Sequence, residues 1–406
     1  DNGISWMWLC FWIGMGVIAL GILMSSRLSR LGVYTVSEML QHRYGAASRL
    51  ISAIIIAAYA LMIAVTSTIA IGTVFNVVLP LSSSVAILVA GSLVVAYSVA
   101  GGMWSITLTD IIQFCIMTVG IFFLLLPLAI FAAGGLSGMQ EALPASYFDL
   151  TAIGWQTIFT YFLLFFFGLM IGQDIWQRVF TARSPEIARW GSVAAGVYCL
   201  LYGLAGALVG TAAKVLLPDL RVPDNAFAEV ATEVLPAGLL GLVLAAALAA
   251  VMSTSSAGLL AASTLLANDV YARFVSGRDH AGVGVDRLFT LLVGAIVLVI
   301  SVLVSDVIGA LTVAYDLLVG AIFVPVVGAL FWRRATGAGA LASIVVGGLT
   351  VVALMVRDGL LANSPIYGGL IASLAAFVVA SVLTPRTPRD TMSAWERRVT
   401  GTAQQS

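Results

Sequence analysis

Long apolar runs follow one another along the chain, separated by short polar connections in which arginines gather. Eleven of them approach or exceed the length of helix that crosses a bilayer, about 20 residues. They run roughly 4–25, 49–79, 83–100, 104–133, 153–173, 190–216, 237–270, 285–304, 308–332, 337–356 and 366–384. None carries the alternating, turn-rich pattern of a barrel strand, and lipid leaves a backbone only helices or closed barrels. The pattern therefore predicts an all-α fold, a polytopic membrane helix bundle of about 11 transmembrane helices. The stretch 104–133 would be about 45 Å long as one straight helix, so it must tilt, bend or project. Pro127 offers a bend there, and Pro325 does the same in 308–332, where Gly309, Gly320 and Gly328 add softness.

Composition agrees. The 406 residues are 61% hydrophobic and only 9% charged, against about 25% charged in an ordinary soluble domain. Orientation follows from the basic residues. With residue 1 outside, 16 of the 19 lysines and arginines fall in the inner connections and tail, leaving Lys214, Arg221 and Arg357 outside. The outer connection 217–236 is acidic instead, with Asp219, Asp224, Glu229 and Glu233. The expectation is a multi-pass protein of the inner or plasma membrane, starting outside and ending in a cytoplasmic tail, 386–406. Trp6, Trp8, Trp155, Trp190 and Trp332 near span ends fit an interfacial belt. The chain opens Asp1-Asn2-Gly3, without an initiator Met or a basic leader, and is expected to be cut from a longer protein.

Cys10, Cys115 and Cys199 are odd in number and far apart, which speaks against a disulfide framework or a metal site. The two histidines, His42 and His280, lie in polar connections, so a histidine relay inside the membrane is set aside. Nothing brings a nucleophile, a base and an orienting group together, and no enzyme activity is expected. Zero net charge by itself says nothing about partners, and no nucleic-acid partner is expected.

The unusual stretch is 241–271. It is apolar enough to span, yet its middle is built from alanines, Ser253, Thr254, Ser255, Ser256 and Gly258. Ala250, Ser253 and Thr254 fall at i, i+3 and i+4, so one face offers two hydroxyls and a reachable carbonyl. Such hard oxygens suit a small hard cation. Small residues also let membrane helices pack closely, and a hydroxyl can bond the carbonyl one turn back. Both readings stay open at this point.

Of the 38 charged residues, Asp110 and Asp316 alone fall well inside the predicted spans. A carboxylate at that depth is costly unless paired or hydrated, which makes it a functional candidate. Asp110, in Thr107-Leu108-Thr109-Asp110-Ile111-Ile112-Gln113, is either an interfacial carboxylate bonded by Thr107 and Gln113 or a lining residue on an ion's inner exit path. Asp316, after Tyr315, is either the cap of a broken helix or a contact for a cation or a cationic solute group. The run Phe162, Phe165, Phe166, Phe167 with Gly168 and Gly172 is either core packing or a helix interruption near the midplane, of the kind transporters use.

Together these stretches resemble the sodium:solute symporter family. The likeness is carried by the inner loop Arg27 to Arg49, by Tyr97-Ser98-Val99-Ala100-Gly101-Gly102-Met103-Trp104 with Thr109-Asp110-Ile111-Ile112-Gln113, by Gln173 with Gln177-Arg178 and Ala182-Arg183, and most closely by Ala249 through Tyr271. The resemblance implies a leucine-transporter-like five-plus-five inverted repeat, here incomplete. One transmembrane domain would fill 1–385, with core helices two to ten over about 4–332 and two peripheral helices over about 337–384. The family's peripheral first helix and its discontinuous first core helix have no counterpart. The resemblance also implies a Na⁺ half-site on Ala250 (carbonyl), Ser253 and Thr254, with Asp110 beside the ion's exit path. It places solute contacts at Phe165, Gly168, Tyr315 and Asp316. The implied function is sodium-coupled symport of a small polar organic solute by alternating access, with Na⁺ as the co-transported ion. A sodium-independent uniporter or channel-like carrier, or a sensory membrane module, is the alternative on the same scaffold. The partners expected are a small-molecule solute and the lipid bilayer; the oligomeric state is open, a monomer included.

Overall fold

A computed structural model describes residues 3–78, 81–278, 280–304 and 306–400, apart from the side chains at 76–78 and 224. Residues 1–2, position 79 of the second expected span, the side chain of Asp224 and the tail end 401–406 lie outside this description. Every regular element among the described residues is helical. Ten helical runs are long and apolar enough to span: α1 (Gly3–Leu23), α3 (Ala46–Phe75), α4 (Ser83–Ala132), α5 (Trp155–Phe180), α6 (Pro185–Leu216), α7 (Ala237–Val275), α8 (Val283–Leu303), α9 (Val307–Phe331), α10 (Gly337–Asp358) and α11 (Ser364–Leu383). Two shorter helices, α2 (Val36–Tyr44) and α12 (Arg389–Thr400), lie at the arginine-rich end.

The count of ten instead of eleven has a local cause. The expected spans 83–100 and 104–133 are the two arms of α4, which breaks at Gly102, where φ is 53° and ψ −147°. Those angles are open to glycine and forbidden to a side-chain-bearing residue in a helix. A straight helix of that many residues would be about 75 Å long, more than twice a bilayer core, so the break is obligatory.

Both prolines act where they stand, through widened turns instead of sharp breaks. A proline inside a helix lacks an N–H and its ring crowds the carbonyl four residues back. The backbone opens into π-helical turns over Thr118–Leu125 ahead of Pro127 and over Val319–Phe323 ahead of Pro325. Two more such turns, Phe162–Phe166 in α5 and Leu265–Val275 in α7, flank the site described below, and π turns cluster at functional positions. In α5 the chain also breaks outright at Gly172, where ψ is 123°. Of the two readings left open for this stretch, the helix interruption occurs, at the second glycine, while Phe165 and Gly168 are also packed in the core.

Helix ends are set by local chemistry. Thr35 caps α2 by accepting from the Glu38 N–H at 3.1 Å, while the Glu38 carboxylate reaches back to the Tyr34 N–H at 3.0 Å. This is close to the reciprocal capping box, with the carboxylate taking the N–H one residue before the N-cap. Ser184 and Thr336 cap α6 and α10 in the simpler way.

In the bundle α10 lies along α11, α1 along α6, and α7 between α3 and α4. Small residues make these approaches possible. A Cβ on Gly258 of α7 would sit 2.8 Å from the Ala60 carbonyl oxygen of α3, so only glycine lets the two backbones come so close. Several hydroxyls inside the bundle are satisfied by their own helix, while those of Ser48 and Ser98 are buried without a partner. Thr66, Ser67 and Thr68 each donate to the carbonyl four residues back, at 2.9, 3.1 and 2.7 Å, and Thr68 also meets Ser255 of α7 at 2.9 Å.

Candidate functional site

The face of α7 around 250–256 carries four hydroxyl side chains in succession, Ser253, Thr254, Ser255 and Ser256. Ser253 is half-buried and Thr254 exposed. The Ser253 hydroxyl donates to one oxygen of Asp110 on α4 at 2.8 Å, and the other oxygen accepts from the Arg178 guanidinium at 2.8 Å. Having given its single proton to a carboxylate, Ser253 keeps both lone pairs for another partner. The Thr254 hydroxyl donates across a long 3.3 Å to the Ala250 carbonyl, and Ser256 donates to the Ser253 carbonyl at 3.1 Å. Tyr97 holds the Met252 carbonyl at 3.3 Å.

Three oxygens thus gather on one turn: the Ala250 carbonyl and the hydroxyls of Ser253 and Thr254. A negative charge stands one hydrogen bond away. That donor set fits a small hard cation and supplies about half of the six or so oxygens such an ion collects. The Asp110 turn is not the self-contained knot that the sequence allowed. Thr107 and Thr109 bond carbonyls of their own helix, Met103 at 2.8 Å and Ile106 at 2.9 Å, and the Gln113 side-chain oxygen is buried without a partner. Asp110 is satisfied by α7 and α5 instead.

A second cluster lies where α5, α9 and α3 meet. The Phe165 ring stands edge-on to Tyr315 at 5.2 Å, and Tyr59 does the same from α3 at 5.3 Å. A Cβ on Gly168 would run into the Tyr315 ring, so the glycine is a seat for that ring. The Tyr59 hydroxyl donates to Asp174 at 3.1 Å, just past the Gly172 break. Phe165, Gly168 and Tyr315 are therefore brought together, and all are buried. Asp316 is 1% exposed and stands apart from this network: neither carboxylate oxygen has a hydrogen-bond partner. Such a group calls for a cationic partner or a proton, because an unpaired carboxylate at this depth costs several kcal/mol.

At the arginine-rich end a cavity of about 570 Å³ opens between the Gly102 break, the inner halves of α7 and α8, and the start of α2. Its wall carries a buried ion pair: Arg49 of α3 meets Asp269 of α7 at 2.9 Å through Nε and 2.5 Å through Nη2. Ser37 of α2 also bonds Asp269, and Gln41 takes Arg49 Nη1 at 2.8 Å. Gln173 binds the Val36 N–H at 2.7 Å and the Tyr34 carbonyl at 3.1 Å, so α2 is clasped by α5 as well.

Sequence reasoning missed Tyr59, Asp174 and the Arg49–Asp269 pair. The expected span ends at 173, one residue short of Asp174; the helix resumes after Gly172 and carries Asp174 into the bundle. Nothing in periodicity announces that two distant residues such as 49 and 269 will pair. Cys10, Cys115 and Cys199 are free thiols.

Comparison with known proteins bears on the fold and the family. A search of solved structures finds a Na⁺-coupled sialic acid symporter, described in a substrate-bound outward-open state, at a TM-score of 0.74 and 19% identity, covering 95% of this chain and 87% of that one. A nucleobase-cation-symport-1 family transporter aligns at a TM-score of 0.56 and 15% identity, over 99% of this chain and 90% of that one. These likenesses establish the fold, a leucine-transporter-like bundle. Among curated proteins, the sodium/pantothenate symporter of Escherichia coli is 26% identical over 96% of this chain and 84% of its own length. The high-affinity proline transporter of Bacillus subtilis is 27% identical over 95% and 85%. The family model described as "Sodium:solute symporter family" matches residues 1–347, and the chain belongs to that family.

Proposed function

We propose that this sodium-coupled symporter holds its Na⁺ against the Ala250 carbonyl and the Ser253 and Thr254 hydroxyls, with oxygens from outside α7 completing the shell. Asp110 stands on the ion's inward route, and the cavity beside Gly102 leads onward. The observation that carries this reading is the 2.8 Å hydrogen bond between Ser253 and Asp110, residues 143 positions apart. Sequence had nominated each of them separately for the same ion.

The solute is assigned to the meeting of α3, α5 and α9, against Phe165, Gly168, Tyr315 and Asp316. Aromatic walls with one unpaired carboxylate favour an amino-acid-like or cationic solute over a sugar, and relatives named for proline transport support that class. No chemical conversion is part of the cycle. The excess of arginine at one end of the bundle supports a C-terminus in the cytoplasm and residue 1 outside, in a plasma or inner membrane.

The energetics are adequate. One Na⁺ entering down 100 mV releases about 2.3 kcal/mol, and a tenfold sodium gradient adds about 1.4. At one-to-one coupling this sustains a solute ratio of several hundred, roughly. The test is uptake of labelled proline and other amino acids into proteoliposomes, with sodium outside or replaced by potassium or choline. Uptake requiring sodium supports the reading; equal uptake in all three salts identifies a uniporter and overturns it.

A further inference from the structure

We propose that the arginine-rich end of the bundle carries a built binding site for one anionic glycerophospholipid, with its headgroup between α1, α9 and α12 and an acyl chain along α9 and α11. Two neighbouring cavities form it. The first, about 520 Å³, is walled by Arg27 and Arg30 after α1, by Arg43 of α2, by Arg333 after α9, and by Trp395 and Glu396 of α12. The second, about 480 Å³, is an apolar groove lined by Phe323, Val327, Leu374 and Phe377 among others. Phe331 and Trp332 line both, so the polar chamber and the apolar groove are neighbours that share a wall of two aromatic rings.

The charges are arranged for a phosphate. Glu396 is the acidic group in the chamber, and it pairs with Arg333 at 2.8 Å. Arg27, Arg30 and Arg43 line the same chamber, so four arginines face one glutamate there and the lining keeps an excess of positive charge. The Arg27 guanidinium lies over the Phe331 ring, 4.8 Å from its centre, which holds it at the junction of chamber and groove. Arg43 is 2% exposed and gives its two terminal nitrogens to Thr387, Arg333 and Ala335, yet its Nε has no partner. A buried guanidinium with an unused N–H on the wall of a cavity is a donor waiting for an acceptor. Arginine forks match phosphate oxygens.

The groove decides between a lipid and a free anion. Inorganic phosphate would use the chamber and leave the apolar half empty. Ile22 and Leu23, half exposed on the last turn of α1, put Arg27 about one turn beyond the hydrocarbon, at headgroup depth. The apolar face of α12, formed by Met392, Trp395 and Val399, is already packed on the bundle, so that helix roofs the chamber and does not itself enter lipid. Basic pockets between spans are the expected recognition mode for anionic headgroups.

The experiment uses the full chain purified in an uncharged detergent, with thermal unfolding followed as lipid is added. Phosphatidylglycerol should raise the unfolding temperature saturably, while phosphatidylcholine and inorganic phosphate should not. Arg27→Gln with Arg30→Gln should weaken the phosphatidylglycerol midpoint about thirty-fold, from the usual contribution of two basic residues at an anionic surface. Arg386→Gln with Arg389→Gln removes the same charge outside the chamber and should leave the midpoint in place. Val327→Trp, which fills the groove and keeps every arginine, should also weaken binding. The proposal is overturned if the 27/30 pair behaves like the 386/389 pair, if inorganic phosphate stabilises as well as the lipid, or if Val327→Trp binds as the parent does.

Discussion

Two groups bond Asp110, and the structure ranks them. Arg178 and Asp110 are 44% and 22% exposed, and an ion pair so open to screening contributes about 0–1 kcal/mol. The Ser253 hydroxyl gives the same carboxylate a half-buried, charge-assisted hydrogen bond, of the kind that contributes about 1.5–3 kcal/mol. Ser253→Ala removes that bond and a cation ligand together. It should raise the sodium concentration for half-maximal uptake by about 10- to 150-fold, at 1.4 kcal/mol per factor of ten. Arg178→Gln should raise it by about fivefold at most on the same scale. The assay is initial-rate solute uptake in proteoliposomes across a sodium titration at fixed ionic strength, with both variants reconstituted at matched density. If Arg178→Gln shifts the sodium requirement as far as Ser253→Ala, Asp110 is organised by the guanidinium and not by α7, and the ion route as drawn here fails.

Other outcomes follow from the same contacts. Gly168→Ala pushes a methyl into a Tyr315 ring that Phe165 and Tyr59 already hold; overpacking of about 1–3 kcal/mol should raise the solute KM about tenfold and leave sodium binding, read by ²²Na⁺ equilibrium binding, unchanged. Asp269→Asn strands a buried Arg49 and should cost about 3–5 kcal/mol in unfolding, whereas adding Arg49→Gln should cost less than the sum; additive losses in that cycle would show that the pair is not coupled. His42, on α2 outside the spans, has its imidazole pKa held down to about 4 by burial and by Arg398 and Arg49. The unfolded chain protonates near 6.5, so between pH 6.5 and 4 the unfolded state binds the proton that the folded state refuses, and stability falls as pH drops through that window. Thermal unfolding at pH 7 and pH 5 should show a larger loss in the parent than in His42→Gln.

Much of the fold was legible because a membrane helix announces itself in one dimension. Lipid forces length and apolarity on each span, and the arginines mark which ends share a side. Ala250, Ser253 and Thr254 could be read as one face because helical spacing is a local property, and Asp110 stood out because a charge at depth is costly wherever it lies. What stayed hidden was pairing across the bundle. The sequence near Asp110 offers Thr107 and Gln113 as its partners, yet the tertiary contact with Ser253 supersedes them. Asp174 was hidden by the Gly172 break, which ends one helical register and lets the next carry a carboxylate to Tyr59. The Gly102 break joined two expected spans into one run, since helical hydrogen bonding persists on either side of a single aberrant residue.

The most direct measurement is the sodium dependence of solute uptake by Ser253→Ala with Thr254→Ala in the same chain, compared with its parent at equal surface density. With Na⁺ seated on these two hydroxyls, the double variant loses two of the three oxygens that α7 supplies. Its sodium requirement should then rise beyond that of either single change while solute specificity is kept. A double variant that responds to sodium as its parent does would contradict the account, because the ion would then rest somewhere else.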